Sequence, residues 1–392
     1  MELFDKCRRF TVARRLMAAG WYTFFQPIAS AQEPEVMVGR RRMIMIGSNN
    51  YLGLTTHPKV KEAACEAIRR YGTGCGGSRF LNGTLDLHEA VERKLARFKR
   101  KEAALLFSTG FQANLGILSA LGGKGDVLIT DRLDHASIVD GCRLAFSETR
   151  RFRHNDMADL ERALSAAGGR GKLVVVDGVF SMEGDIANLP EIVRLARKHG
   201  ARIMVDDAHA TGVLGKEGRG TAQHFGLEEE VDLVMGTCSK ALASVGGFVA
   251  GPADVIHYLR HRARSLMFSA SLPAPCVATI GAALDVMESE PERRERLWEN
   301  ARRMKRDLTA LGFDTGQSET PIIPVILGED RLTFEFVKGL RQQGVFANAA
   351  VSPAVPQGRA LIRTSYMATH TPQQLVRVLS AFRKVGKQLG VI

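Results

Sequence analysis

Short apolar runs alternate with helix-period segments through most of the chain. The runs at 103–107, 127–130, 173–177, 203–206, 231–235 and 248–250 are apolar on nearly every position rather than on every second one. A strand of that kind is covered on both faces, as in a mostly parallel sheet. Between the runs, segments such as 157–167 and 189–199 repeat their apolar residues at the helical spacing. The pattern predicts a large α/β domain with a mostly parallel, mixed sheet between layers of helix. Such sheets build their sites in the loops beyond the carboxyl ends of the strands. Polar stretches fall there: Ser108-Thr109-Gly110, Asp134-His135, Ser181, Asp206 to His209, and Lys240.

The two ends read differently. At the start, helical spacing in Leu3-Phe4, Cys7 and Phe10-Thr11 gives way to an extended stretch at 22–28. A strand pair follows at 36–38 and 43–46, turned by Gly39-Arg40. Near the end, a charged helix from about residue 292 carries Leu297, Ala301, Met304 and Leu308 on one face. Strands at 322–327 and 360–365 and a closing helix complete a small α+β domain. The expected organisation is an N-terminal arm (1–45), a large domain (46–285) and a small C-terminal domain (286–392).

Composition narrows the class. With 392 residues, 45% hydrophobic and 24% charged, the chain is ordinary for a soluble globular enzyme. No apolar run approaches the roughly 18 residues of a membrane span, and Met1 to Lys6 lacks a signal peptide's basic start and apolar core. The six cysteines are scattered without CxxC spacing, so neither zinc nor a disulfide framework is expected and a reducing cytoplasm fits best. The net charge of +12 is the unusual feature, with arginines at 8, 9, 14, 15 and 40–42 and a cluster at Arg260, His261, Arg262 and Arg264. No zinc-finger spacing or aromatic-interleaved basic motif points to nucleic acid. The charge suits an acidic substrate such as an acyl-CoA, or peripheral contact with an anionic membrane surface.

The chemistry gathers at two stretches. In Gly236-Thr237-Cys238-Ser239-Lys240, followed by Gly246-Gly247, a lysine stands beyond a buried strand with two hydroxyls and a glycine pair. A lysine so placed can form a Schiff base with a carbonyl, and the hydroxyls suit a phosphate. In Val205-Asp206-Asp207-Ala208-His209, a carboxylate ends another buried strand. It is costly there without a cationic partner. A protonated pyridine nitrogen is one, so the two stretches together point to pyridoxal 5'-phosphate.

Joined to Ser108-Thr109-Gly110-Phe111-Gln112-Ala113-Asn114 and Asp134-His135-Ala136-Ser137, these stretches resemble the α-oxoamine synthase family. That family is a branch of the fold-type-I pyridoxal-phosphate transferases, with an aspartate-aminotransferase-like fold. The resemblance runs from about residue 20 to the C-terminus. It is strongest to the bacterial branch that joins L-serine to palmitoyl-CoA, through the stretches 22–28, 72–84, 181–186, 351–356 and 367–371. It implies a decarboxylating condensation of L-serine with a long-chain acyl-CoA. Glycine with acetyl-CoA, or alanine with pimeloyl-CoA, are the alternatives within the family. An aminotransferase or aldolase of the same fold is the alternative outside it.

By position, the resemblance implies that Lys240 carries the cofactor and that Asp206 pairs with the pyridine nitrogen. His135 would stack on the ring, His209 would bond the ring hydroxyl, and Ser181 would lie near the ring. Gly110, Phe111, Thr237 and Ser239 would hold the phosphate, with Ser269 reaching the partner subunit's phosphate across an obligate homodimer that shares its sites. Arg363, in an otherwise apolar strand, would grip the substrate carboxylate through its two-pronged guanidinium. Asn50, Tyr51 and Ser78 would line the substrate, and His88 and Asn82 would be structural. Two departures stand out: Cys238 takes a place that is bulky in relatives, and the stretch 349–353 lacks an arginine found in some of them.

Overall fold

The computed structural model describes residues 2–392, which separate into two compact units, 49–297 and 2–48 with 298–392. The arm therefore clusters with the C-terminal residues rather than forming a segment of its own. The boundaries expected at 45/46 and 285/286 fall at 48/49 and 297/298. The physical reason is core sharing. Ile44 of the arm, Ile46 just beyond it, and Met304, Phe336, Ile362 and Phe382 of the C-terminal part belong to one buried apolar cluster.

In chain order, the strands of the arm are β1 (Glu35–Val38) and β2 (Arg41–Met45). They form an antiparallel hairpin turned, as expected, at Gly39, whose φ is 58°. The seven strands of the 49–297 unit are β3 (Ala103–Phe107), β4 (Val127–Asp131), β5 (Glu148–Phe152), β6 (Lys172–Asp177), β7 (Arg202–Asp206), β8 (Leu233–Thr237) and β9 (Gly247–Gly251). The C-terminal part adds β10 (Ile322–Gly328), β11 (Val345–Phe346), β12 (Asn348–Ala350) and β13 (Ala360–Ser365).

The large sheet has the order β3-β9-β8-β7-β6-β4-β5. From β5 to β8 neighbours run parallel, and β9 alone runs the other way, pairing antiparallel with both β8 and β3. This is the mixed, mostly parallel sheet that the apolar runs predict. The run expected at 231–235 lies two residues later, because β8 continues through Gly236 and Thr237 into its pairing with Phe248 and Gly247. The sheet has a strand the pattern did not predict, β5, whose Glu-Thr-Arg-Arg-Phe is polar because it forms the exposed edge.

Within the other unit, β2 pairs with β1 and with β11, and β13 lies between β10 and β12. The stretch 22–28 carries no strand beyond a bridge from Ile28 to Val38. The arm begins with two short helices, Asp5–Arg9 and Val12–Ala18, neither of which buries a residue. The charged helix is Glu292–Ala310, with Leu297, Ala301, Met304 and Leu308 buried as expected. Among the described residues no helix is long and apolar enough to cross a membrane.

Candidate active site

The carboxyl ends of β3, β4, β6, β7 and β8 converge on one cavity of about 350 Å³, all of it within the 49–297 unit. Three of the strands end in aspartates, Asp131, Asp177 and Asp206. Of the residues expected in the site, Gly110, Phe111, His135 and Ser181 line this cavity. So do Asp206, His209, Thr237, Ser239 and Lys240.

Asp206 is 3% exposed. Its Oδ2 accepts from Asn114 Nδ2 at 2.7 Å, and its Oδ1 from the Ala208 N–H at 2.9 Å. Both donors are neutral, and among the described residues no lysine, arginine or histidine forms an ion pair with it. A buried carboxylate facing a cavity in that state suits a cationic ligand. Asn114 is fully buried one turn into the helix Gly110–Leu121, and its amide also donates to Ser137 Oγ at 2.9 Å.

His135 caps the helix Ala136–Leu144. Its Nδ1 accepts from the Ser137 N–H at 3.2 Å and lies 2.7 Å from Ser137 Oγ. With two donors facing Nδ1, the proton of the neutral ring sits on Nε2. Burial lowers the His135 pKa; Asp206 opposes that shift and Lys240 adds to it. The ring is therefore neutral near pH 7, an uncharged plane at the cavity wall. Its backbone N–H donates to Asp177 Oδ2 at 2.9 Å, and the Asp177 N–H donates to Asp134 Oδ1 at 2.8 Å. Burial, and then the charges of their acidic neighbours, raise both Asp134 and Asp177 well above ordinary carboxylates.

His209 is held by Tyr51, whose hydroxyl lies 2.7 Å from Nδ1. Tyr51 is not itself in the lining. Asn50 also braces its own loop: its Oδ1 accepts from the Leu54 N–H at 3.1 Å, and its Nδ2 donates to Thr55. Ser78 and Ser269 also lie outside the lining. The Ser269 hydroxyl accepts from Gln112 Nε2 at 3.1 Å. Arg363 belongs to the other unit, on β13, 7% exposed and with Nη1 3.5 Å from Ser365 Oγ.

Elsewhere in the same lining, a group of donors could serve an anion. Thr109 caps the helix Gly110–Leu121 by accepting from the Gln112 N–H at 3.1 Å, so the N–H groups of Gly110 and Phe111 stand ahead of the first helical bonds. Thr237 Oγ1 lies 2.9 Å from Ser239 Oγ beside them. The approach is possible only without side chains. A Cβ on Gly247 would stand 2.6 Å from Gly110 Cα, and one on Gly110 would stand 2.8 Å from Thr237 Oγ1. Cys238 is fully buried and outside the lining, and burial pushes its thiol up, so it acts as a small apolar residue.

Several supporting groups carry no role in the sequence reading. Lys99 and Asp207 form a buried pair at 3.0 Å, and Lys99 also donates to Thr211 Oγ1 at 2.9 Å. Asp177 ends an apolar strand as Asp206 does, so the same cost argument would have found it. Among the described residues no cluster of His, Cys, Asp and Glu could hold a metal.

Comparison with known proteins adds the relatives. The model of the family "Aminotransferase class I and II" matches residues 41–382. A serine palmitoyltransferase of Sphingobacterium spiritivorum is 52% identical over 391 residues, covering 100% of this chain and 98% of the relative. An 8-amino-7-oxononanoate synthase of Thermoanaerobacter pseudethanolicus is 48% identical over 379 residues, 96% of each. In structure, a serine palmitoyltransferase of S. paucimobilis with a bound PLP–myriocin aldimine superposes with a TM-score of 0.96 at 40% identity, covering 100% of both chains.

Proposed function

The chain belongs to the class I and II aminotransferase family, and we propose that within it this enzyme condenses L-serine with a long-chain acyl-CoA. The products are 3-ketosphinganine, CoA and CO2, which open sphingolipid synthesis. The observation that carries the reading is Asp206: a buried carboxylate with neutral donors only, lining the same cavity as Lys240. The cofactor is pyridoxal 5'-phosphate, and the residues fit it. Asp206 supplies the counter-charge for a protonated pyridine nitrogen. Gly110, Phe111, Thr237 and Ser239 offer donors to a phosphate, and His135 offers a flat neutral face. When bound, the cofactor takes up the electron pair left at the amino acid's α-carbon.

The chain's own residues do the rest. Lys240 Nζ is the covalent anchor and, once displaced by the substrate amine, the base that takes the α-proton and later returns it. Asn114 and the Ala208 N–H hold the Asp206 carboxylate in place without neutralising it. Tyr51 fixes the His209 ring, which would bond the cofactor's hydroxyl. Arg363 grips the substrate carboxylate, with Asn50 and Ser78 as further substrate contacts. The working form is a homodimer in which Ser269 reaches the partner subunit's phosphate. The protein is cytoplasmic, and its arginine-rich arm makes salt-sensitive contact with anionic membrane.

A second reading, alanine with pimeloyl-CoA, is favoured by the 48% identity to the 8-amino-7-oxononanoate synthase. The test is CoA release by the holoenzyme with L-serine, glycine and L-alanine, each against acetyl-, pimeloyl- and palmitoyl-CoA. L-serine with palmitoyl-CoA should give the highest kcat/KM. A better rate for L-alanine with pimeloyl-CoA would transfer the enzyme to the second reading.

A further inference from the structure

Asp206 and His135 both line the Lys240 cavity, and an unbroken line of hydrogen bonds joins them through Asn114 and Ser137. Asn114 Nδ2 gives one hydrogen to Asp206 Oδ2 at 2.7 Å and the other to Ser137 Oγ at 2.9 Å. Ser137 Oγ lies 2.7 Å from His135 Nδ1. The line is shut away from water, with Asn114 at 0%, Ser137 at 1% and Asp206 at 3% exposure. It passes between the helices Gly110–Leu121 and Ala136–Leu144, which come together where Gly141 leaves room. A Cβ on Gly141 would stand 2.8 Å from the Asn114 carbonyl oxygen. All four residues belong to the 49–297 unit.

The direction of each bond follows from the one before it. An ionised carboxylate can only accept, so the amide of Asn114 turns its nitrogen rather than its oxygen to Asp206. Both amide hydrogens are then used, and Ser137 Oγ is an acceptor toward Asn114. A hydroxyl has a single proton to give, and the neighbour left for it is His135 Nδ1. Nδ1 also accepts from the Ser137 N–H at 3.2 Å, so the ring's own proton is confined to Nε2. The amide gives up something for this double donation: Asn114 Oδ1 is buried and has no partner among the described residues. A residue placed there for packing alone would avoid that penalty. Burial favours the neutral ring, Asp206 the charged one and Lys240 the neutral one again, while Asp177 takes the His135 backbone N–H and is itself joined to Asp134. Those groups act on the ring's total charge. The Ser137 hydroxyl and N–H act on which nitrogen holds the proton.

We infer that Asn114 and Ser137 are positioning residues that relay the charge of Asp206 to His135: while Asp206 is ionised they hold the ring's proton on Nε2 and keep the ring neutral. The relay leaves Nε2–H as the ring's donor for whatever occupies the cavity. It stands on these bonds alone, so it is independent of which amino acid and acyl-CoA the enzyme prefers.

The test is NMR of the holoenzyme with histidine isotopically labelled at both ring nitrogens. Loss of one signal set in His135→Gln identifies His135 among the ten histidines. The couplings of each nitrogen to the carbon-bound ring protons show which one is protonated, and wild type should hold its proton on Nε2. Ser137→Ala removes the hydroxyl donor to Nδ1, and Asn114→Leu removes the amide that orients it. In each, the ratio of charged to neutral ring at a given pH between about 5 and 8 should rise roughly three- to tenfold, the weight of one neutral hydrogen bond. In Asp206→Asn, whose amide can meet Asn114 in either orientation, the Nδ1–H form should become populated. His154, held between Asp131 and Asp185, is the control, since unchanged signals there show an intact fold. The Ser137 and Asn114 variants test the same line separately, so misfolding of one leaves the other to decide. A wild-type ring protonated on Nδ1, or a wild-type ratio in the folded variants, would overturn the relay. A ring as fully protonated on Nε2 in Asp206→Asn as in wild type would overturn the part given to Asp206.

Discussion

Asn114 Nδ2 lies 2.7 Å from Asp206 Oδ2, joining the second turn of one helix to the last residue of β7. The bond aims the carboxylate and leaves its charge whole, since an amide is neutral. A cationic group entering the cavity would meet that charge. Four predictions follow from this arrangement and from the groups around it.

Asp206→Asn keeps the shape and removes the charge. Pyridoxal phosphate should still bind, as judged by its visible absorbance, while turnover falls on the order of a hundredfold or more, the size expected from a lost buried charge pair. Near wild-type turnover would mean that another acid, Asp177 being the other one in the lining, serves the pyridine nitrogen.

Lys240 is expected to be the covalent anchor. Borohydride reduction of the holoenzyme followed by peptide mass spectrometry should place the pyridoxyl group on Lys240. Lys99 and Lys101 are the internal controls. Lys99 is buried against Asp207, and Lys101 donates to the carbonyls of Glu228 and Val231, so modification of either would refute the assignment.

If Arg363 grips the substrate carboxylate, Arg363→Ala should raise the KM for serine far more than that for acyl-CoA. Loss of a charge-assisted two-pronged contact is worth about 1.5–3 kcal/mol, roughly ten- to a hundredfold. Arg363→Lys should rescue only in part, since an ammonium is a point charge without the fork. Equal effects on both KM values would instead point to a structural role on β13.

His154 bridges Asp131 and Asp185, with Nδ1 3.1 Å from Asp131 Oδ1 and Nε2 2.7 Å from Asp185 Oδ2. Burial alone would lower its pKa, but the two carboxylates outweigh it and raise the value from 6.5 to about 10. A raised folded-state value gives stabilisation that is complete below about pH 6.5 and lost as pH rises through about 10. The wild-type Tm should therefore drop more steeply than that of His154→Gln between about pH 7 and pH 10. Parallel curves would show that the bridge adds no proton-linked stability.

Much of this was legible in the chain before folding, and the exceptions have physical causes. The inner strands announce themselves because burial on both faces demands unbroken apolar runs. Edge strand β5 does not, because Glu148, Thr149 and Arg151 face solvent or the rim. Lys240, Asp206 and His135 stand just beyond such runs, where a charged or polar residue is conspicuous. Asn114 and Ser137 are inconspicuous in sequence, since their value comes from a helical turn that brings an amide to Asp206 and a hydroxyl to His135. Tyr51 meets His209 across 158 positions of chain, a separation that no local pattern encodes. The sharing of one core by the arm and the C-terminal residues was hidden for the same reason.

The reversal of strand direction at β9 has a further consequence. Because Thr237 of β8 is paired with Gly247 of β9, the nine residues 238–246 between them are tied off at both ends by the ladder. The backbone N–H of Cys238 donates to the Gly246 carbonyl just inside that knot. A segment so short and so closed has little wandering left to lose. If Lys240 is the covalent anchor, its amine has to leave its partner and come back in every cycle, and the leash it swings on is its own four-carbon side chain rather than the main chain. Each return thus begins from the same address, and rebinding requires no search.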